Sequence, residues 1–220
     1  MKDYIKCCKA FLKDTIFPVR CPYCEKVIAR DECACNICKA QLPGEPVKKY
    51  AVGGYECIAP FPYDGIFKTA AKAFKFCNRG GYAKQLAKVI SESIIKAQTS
   101  DDFDIITCVP MHRKRQRQRG YNQARLLAVE CAEILNIPYA DTLEKYRENL
   151  EQHSIKASLR ADNVRGVYRI IDSSLVENKR VLIIDDIITT GNTLGECARI
   201  LMKSGCKSVS CAVLCAVTSN

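Results

Sequence analysis

At 220 residues the chain is long enough for one well-packed domain and a small appendage. Its 48% apolar and 26% charged residues are ordinary for a globular protein, and no apolar run approaches the roughly 20 residues that cross a bilayer, which argues against membrane insertion. The net charge of +10 fits either polyanionic partners, nucleic acid or phosphorylated metabolites, or a solvated lysine-rich surface, and only its location can decide.

Residues 1–17 set Tyr4, Cys8, Phe11, Leu12 and Ile16 at helical spacing and lack the unbroken apolar core of a signal peptide, so they predict an amphipathic helix packed on the protein. Fifteen cysteines without an export signal argue for the cytoplasm and against a disulfide framework. Most of them, including Cys108, Cys131, Cys197, Cys206, Cys211 and Cys215, stand in apolar or helical context and read as small buried hydrophobes. Cys21-Pro22-Tyr23-Cys24 and Cys35-Asn36-Ile37-Cys38 differ: they are two C-x-x-C pairs with ten residues between them. Four thiolates at that spacing close a tetrahedral zinc site at about 2.3 Å per bond and leave no open position, so the metal is structural. A block so poor in apolar pattern needs the roughly 10–16 kcal/mol that zinc binding supplies. A redox pair is the competing chemistry, and Cys33 is a competing ligand for Cys35. The segment Leu42-Pro43-Gly44-Glu45-Pro46 breaks structure twice and divides the chain into residues 1–46 and 47–220.

The second unit alternates helix and strand. Residues 64–77 and 82–97 read as helices, 104–109 as a short strand, 121–135 as a helix, 181–188 as a strand opening on four apolar residues, 193–204 as a helix and 208–217 as a strand. This order predicts an α/β fold, a parallel sheet flanked by helices, with ligands beyond the carboxyl ends of its strands.

Three segments carry the positive charge. Residues 109–123 include His112 and, within seven residues, Arg113, Lys114, Arg115, Arg117 and Arg119. Just past a strand, they read as a loop that neutralises pyrophosphate, tracks a nucleic-acid backbone, or simply meets water. Lys68, Lys72, Lys75 and Arg79 share one helix face, with Phe74, Phe76 and Tyr82 nearby. That mixture suits single-stranded DNA, where bases stack and phosphates pair with charge, as well as it suits a core helix fringed with lysine. Residues 152–166 are polar and basic and read as a mobile lid or a plain surface loop.

The most specific signal follows the strand at 181–184. Asp185 and Asp186 come first, then two β-branched residues, then Thr189-Thr190-Gly191-Asn192-Thr193 opening a helix. A helix N-terminus offers unpaired N–H groups and the positive end of a dipole to a phosphate, and Gly191 lets the backbone approach it. Carboxylates would repel that phosphate but accept hydrogen bonds from ribose hydroxyls.

This stretch resembles the binding motif for phosphoribosyl pyrophosphate (PRPP) of type I phosphoribosyltransferases. The resemblance implies that Asp185 and Asp186 contact the ribose hydroxyls, that residues 189–193 wrap the 5′-phosphate, and that magnesium accompanies the pyrophosphate. V-P-x-H, R-G-Y-N-Q, Q-x-x-I-x-x-x-x-R-x-x-N-V-x-G and the PRPP motif, in that order from about residue 19 to 217, are similar to the ComF family of competence-associated proteins. Tyr121 and Ile155 are mild departures from the usual Phe and Leu. The resemblance puts Gln152, Arg160 and Asn163 on a flexible loop over the site. His112, Arg113 and Arg119 are expected near the pyrophosphate, and Arg160 joins the two aspartates as the catalytic set. Two classes remain open. One is an enzyme that displaces magnesium pyrophosphate at the ribose C1. The other is a single-stranded DNA-binding module of the DNA-uptake machinery, for which PRPP or a nucleotide is a regulatory ligand.

Overall fold

The computed structural model describes residues 18–76, 80–97, 103–147 and 166–218. The helix expected over residues 1–17 lies outside them, as do Arg79, Gln152, Arg160 and Asn163. In chain order the elements are α1 (Asn36–Lys39), β1 (Val47–Ala51), β2 (Tyr55–Ala59), β3 (Phe61–Pro62), α2 (Gly65–Phe76), α3 (Ala83–Lys96), β4 (Ile105–Cys108), α4 (Arg113–Arg119), α5 (Gln123–Leu135), β5 (Leu143–Lys145), β6 (Tyr168–Ile170), β7 (Arg180–Ile188), α6 (Asn192–Lys203) and β8 (Ser208–Ala216).

The main sheet runs β1-β2-β8-β7-β4, with β3 also on β8. Its pairings are parallel except for the antiparallel hairpin β1–β2. Val181, Leu182, Ile183 and Ile184 of β7 are each no more than 1% exposed. Successive strand residues point to opposite faces, so both faces of β7 must be covered. Helices α3 and α5 pack on each other, α5 over β7 and β4, while α6 packs on β7, β8 and β1. Cys108, Cys131, Cys197, Cys206, Cys211 and Cys215 are all buried free thiols in this core.

Two elements differ from the sequence reading. The hairpin β1–β2 extends the sheet from residue 47, turning at Gly53 and Gly54, whose φ angles of 96° and 83° suit glycine. The cationic run, expected as a loop, is the helix α4. Arg, Lys and Gln are good helix formers, none is β-branched, and Gly120 ends the turn at φ 82° with its N–H on Gln116 O.

The cysteine unit packs on the start of α2. Tyr23, inside the first C-x-x-C pair, meets Phe61 and Phe67 edge-on at 5.8 and 5.9 Å, and those two rings stack at 4.2 Å. Lys88 and Lys96 of α3 donate to the carbonyls of Asp31 and Gly44.

Candidate functional site

Strands β4 and β7 end side by side, with Val109 N donating to Ile184 O at 3.0 Å. Beyond them opens a cleft of about 230 Å³, lined by Lys75, His112, Arg115, Arg119, Asp185 and Asp186 among others. A smaller cup of about 40 Å³ adjoins it, formed by residues 187–194 and sharing Asp185 and Thr193 with the cleft.

The cup is built from backbone. Gly191 is the N-cap of α6 at φ 76°, and a Cβ there would stand 2.7 Å from Ala51 Cα. At Gly195 a Cβ would meet Val52 O at 2.2 Å. The end of β1 thus lies directly under the loop, and only glycine allows it. Val52 N donates to Gly191 O at 3.3 Å, and Lys49 Nζ donates to Thr189 O and Val217 O, each at 2.5 Å. Asn192 Nδ2 donates to Thr190 Oγ1 at 3.0 Å. The first-turn N–H groups of α6 have no helical acceptor, so they and the helix dipole favour an anion here.

The acidic pair stands near the carboxyl end of β7. Asp186 N–H donates to Asp185 Oδ1 at 2.8 Å, and Asp186 Oδ2 lies 3.0 Å from Lys75 Nζ. Burial, then the neighbouring Asp186 charge, push the Asp185 carboxyl up to about 8. This arrangement suits a ligand that brings hydroxyl donors to both carboxyls.

Helix α4 divides its cations. Arg115 and Arg119, one turn apart, line the cleft, whereas Arg113 and Arg117 line a separate open depression with Gln116 and Gly120. Lys114 is exposed on the same helix. His112 lines the cleft, and its Nδ1 is buried without a hydrogen-bond partner. The expected stripe on α2 also divides. Lys68 and Lys72 are exposed, but Lys75 turns into the cleft. Phe74 and Tyr82 are core residues, 0% and 6% exposed, so they are closed to stacking bases.

The structure adds residues that the sequence did not mark. The antiparallel pair β5–β6 brings Lys145 and Tyr168 to the cleft, with Lys145 Nζ 5.5 Å from the Tyr168 ring centroid. Burial pushes the Tyr168 hydroxyl far up, so it stays a neutral donor. The Tyr-Asn-Gln of the R-G-Y-N-Q segment is a clamp. Tyr121 OH donates to Phe74 O at 2.6 Å, Gln123 Nε2 to Lys75 O at 3.1 Å, and Asn122 Nδ2 to Val109 O at 3.1 Å. Asn122 also caps α5 by accepting from Ala124 N. Three consecutive side chains thereby tie the ends of α2 and β4 to the start of α5.

In the cysteine unit the sulfurs of Cys21, Cys24, Cys35 and Cys38 lie within 4.8 Å of one another, and Cys24 Sγ is 3.5 Å from Cys35 Sγ. A tetrahedral zinc with bonds of about 2.3 Å separates its sulfurs by about 3.8 Å, so the four fit such an ion. The Cys38 backbone N–H lowers the Cys35 thiol, while burial raises that of Cys38. Cys33 is outside the cluster, and burial raises its thiol.

Among known proteins, residues 122–220 match the family described as phosphoribosyl transferase domain. The chain is 27% identical over 199 residues to the DNA utilization protein YhgH of Salmonella typhimurium, covering 89% of this chain and 83% of that one. It is 30% identical over 141 residues to competence protein F of Haemophilus influenzae, covering 62% of each. It is 29% identical over 145 residues to competence protein ComFC of Bacillus subtilis, covering 66% of this chain and 57% of that one. A cysteine cluster fit for metal, an acidic strand end and a T-T-G-N-T helix start on a mostly parallel sheet accompany these likenesses: residues 122–220 match the phosphoribosyl transferase domain, and the chain is similar to proteins named for DNA utilization and competence.

Proposed function

We propose that the cleft binds PRPP, or a nucleotide containing ribose 5-phosphate, and that the protein transfers the phosphoribosyl group to an acceptor in DNA utilization and competence. The observation that carries this reading is the adjacency of three parts at one sheet edge: the glycine-lined cup at the start of α6, the Asp185–Asp186 pair, and the cationic cleft. The cup takes the 5′-phosphate, and the acidic pair takes the 2′- and 3′-hydroxyls. The pyrophosphate then falls among Arg115, Arg119, Lys145 and His112. In the reaction a bond forms between the acceptor and ribose C1 while the C1–O bond breaks, and pyrophosphate leaves with the electron pair. Fixed cations at the leaving oxygens stabilise the charge that develops there. Magnesium, held by the pyrophosphate oxygens, would supply further charge neutralisation. Zinc on Cys21, Cys24, Cys35 and Cys38 is structural. Calorimetric titration with PRPP and magnesium tests the reading: Asp185→Asn with Asp186→Asn should weaken binding about 100-fold, and undiminished binding would place the ligand elsewhere.

A second reading is a single-stranded DNA-binding module with PRPP or a nucleotide as its regulatory ligand. It is favoured by Arg113 and Arg117, which α4 holds away from the cleft, by exposed Lys68, Lys72 and Lys114, and by relatives named for DNA utilization and competence. Filter binding should show retention of single-stranded DNA that falls with salt and with Arg113→Ala plus Arg117→Ala. No retention at low salt would leave the transferase reading alone.

A further inference from the structure

The Lys75–Asp186 pair is placed by design of the backbone around it. The last turn of α2 is gripped from outside the helix, Phe74 O by Tyr121 OH and Lys75 O by Gln123 Nε2, and Gln123 is itself 2% exposed. From that fixed point the lysine reaches its ammonium to 3.0 Å from Asp186 Oδ2, with side chains 27% and 13% exposed. Lys75 therefore occupies the space in front of the acidic pair where a cation would otherwise sit. A magnesium ion bound to Asp186 would lie about 2.1 Å from the carboxylate oxygen, and hence within about 5 Å of the ammonium, where two like charges repel strongly out of water.

We infer that Lys75 is the built-in cation of the acidic pair, so that ribose 5-phosphate, a ligand without a pyrophosphate, enters this cleft without a divalent metal. The inference rests on the ribose-phosphate reading above and names how that site handles charge. A ribose diol is neutral. It donates to lone pairs that Lys75 leaves open, since a carboxylate offers about four acceptor positions. PRPP differs, because its pyrophosphate brings its own metal. Lys75 thus divides the ligands of one cleft into a metal-independent class, ribose 5-phosphate and nucleoside 5′-monophosphates, and a metal-dependent one.

The test uses the full-length, zinc-bound protein in magnesium-free buffer without chelator, so that the cysteine unit keeps its metal. Ribose 5-phosphate should bind with affinities that agree within about twofold with and without magnesium. Lys75→Met should weaken that binding about tenfold or more without magnesium and regain much of it with magnesium, while Lys75→Arg stays metal-independent. Manganese titration followed by electron paramagnetic resonance should find no ion at the acidic pair of the wild type. Lys75→Met should gain a manganese site that a further Asp186→Asn removes. Tenfold tighter wild-type binding of ribose 5-phosphate on adding magnesium would overturn the inference, as would a folded Lys75→Met protein that gains no manganese site. If ribose 5-phosphate binds under no condition, the ribose-phosphate reading is what fails, and the manganese titration still decides the role of Lys75.

Discussion

The two walls of the cleft are made of different material. On the β7 side the cup is backbone: Gly191 and Gly195 let the loop and α6 lie against Ala51 and Val52, and Lys49 fastens Thr189 O and Val217 O together. On the α4 side the wall is side chains, Arg115 and Arg119 projecting from a helix of seven residues. A wall of backbone holds one shape and fails when a single atom is added. A wall of long cations adapts, and it loses affinity by increments that salt can imitate.

Gly191→Ala should give the largest effect. The methyl group would stand 2.7 Å from Ala51 Cα at a φ of 76°. A left-handed alanine alone costs about 1–3 kcal/mol, and the contact adds to it. Binding of ribose 5-phosphate, followed by calorimetry, should fall about 100-fold or more, with a lower melting temperature. An alanine variant that binds normally would show that the β7 wall is as adaptable as the other.

Loss of the metal should come next, and it should divide the walls. The cysteine unit touches the site through Tyr23, Phe61 and Phe67 at the start of α2, the helix that carries Lys75. Purified protein should hold one zinc per chain, and Cys21→Ser should release it and lower the melting temperature by several degrees, roughly 2–4 °C for each kcal/mol lost. The lysine-dependent ligand affinity should suffer more than the phosphate cup, which rests on β1. Elemental analysis without zinc would remove this link.

Arg115→Ala should have a smaller, graded effect. PRPP affinity should drop about tenfold at low ionic strength and by less at high salt, because added ions already screen a cation so exposed. A loss independent of salt would mean that Arg115 acts by packing and that the α4 wall is rigid too.

The difference between the walls also explains which of them could be read in advance. A backbone cup needs glycine at one place, hydroxyls beside it and acids before it, so Gly191, Thr189, Thr190 and the aspartates stand out in the chain. Its foundation did not stand out: β1 is a five-residue strand, VKKYA, whose hairpin partner β2 is local but whose contact with the Gly191 loop is distant in sequence. The Gly53-Gly54 turn was its one local signal. Cations carry no such address. Spacing put Lys75 on a face with Lys68 and Lys72, but the clamp from Tyr121 and Gln123, about 48 residues away, turns it into the cleft. Arg115 and Arg113 are two positions apart on α4 and serve different surfaces. Lys145 and Tyr168 reach the site only because β5 and β6 pair across an intervening segment.

The smallest expected effect is on stability, and it is a gain. The Asp185 carboxyl is ordinarily half-ionised near 3.8, and burial beside Asp186 raises it to about 8 in the folded protein. Between those two values the folded chain holds a proton that the unfolded chain has released, so stability must fall as pH rises through the window. Asp185→Asn keeps the shape and cannot ionise. Its melting temperature should match the wild type at pH 4 and exceed it at pH 8 by several degrees. The same variant should bind ribose 5-phosphate more weakly, since an amide replaces one acceptor oxygen with a donor. Stability gained where binding is lost is the signature of a group kept for its ligand. Equal melting temperatures at pH 8 would mean that the carboxyl carries no burial cost, and the backbone wall would then be fully at ease without its ligand.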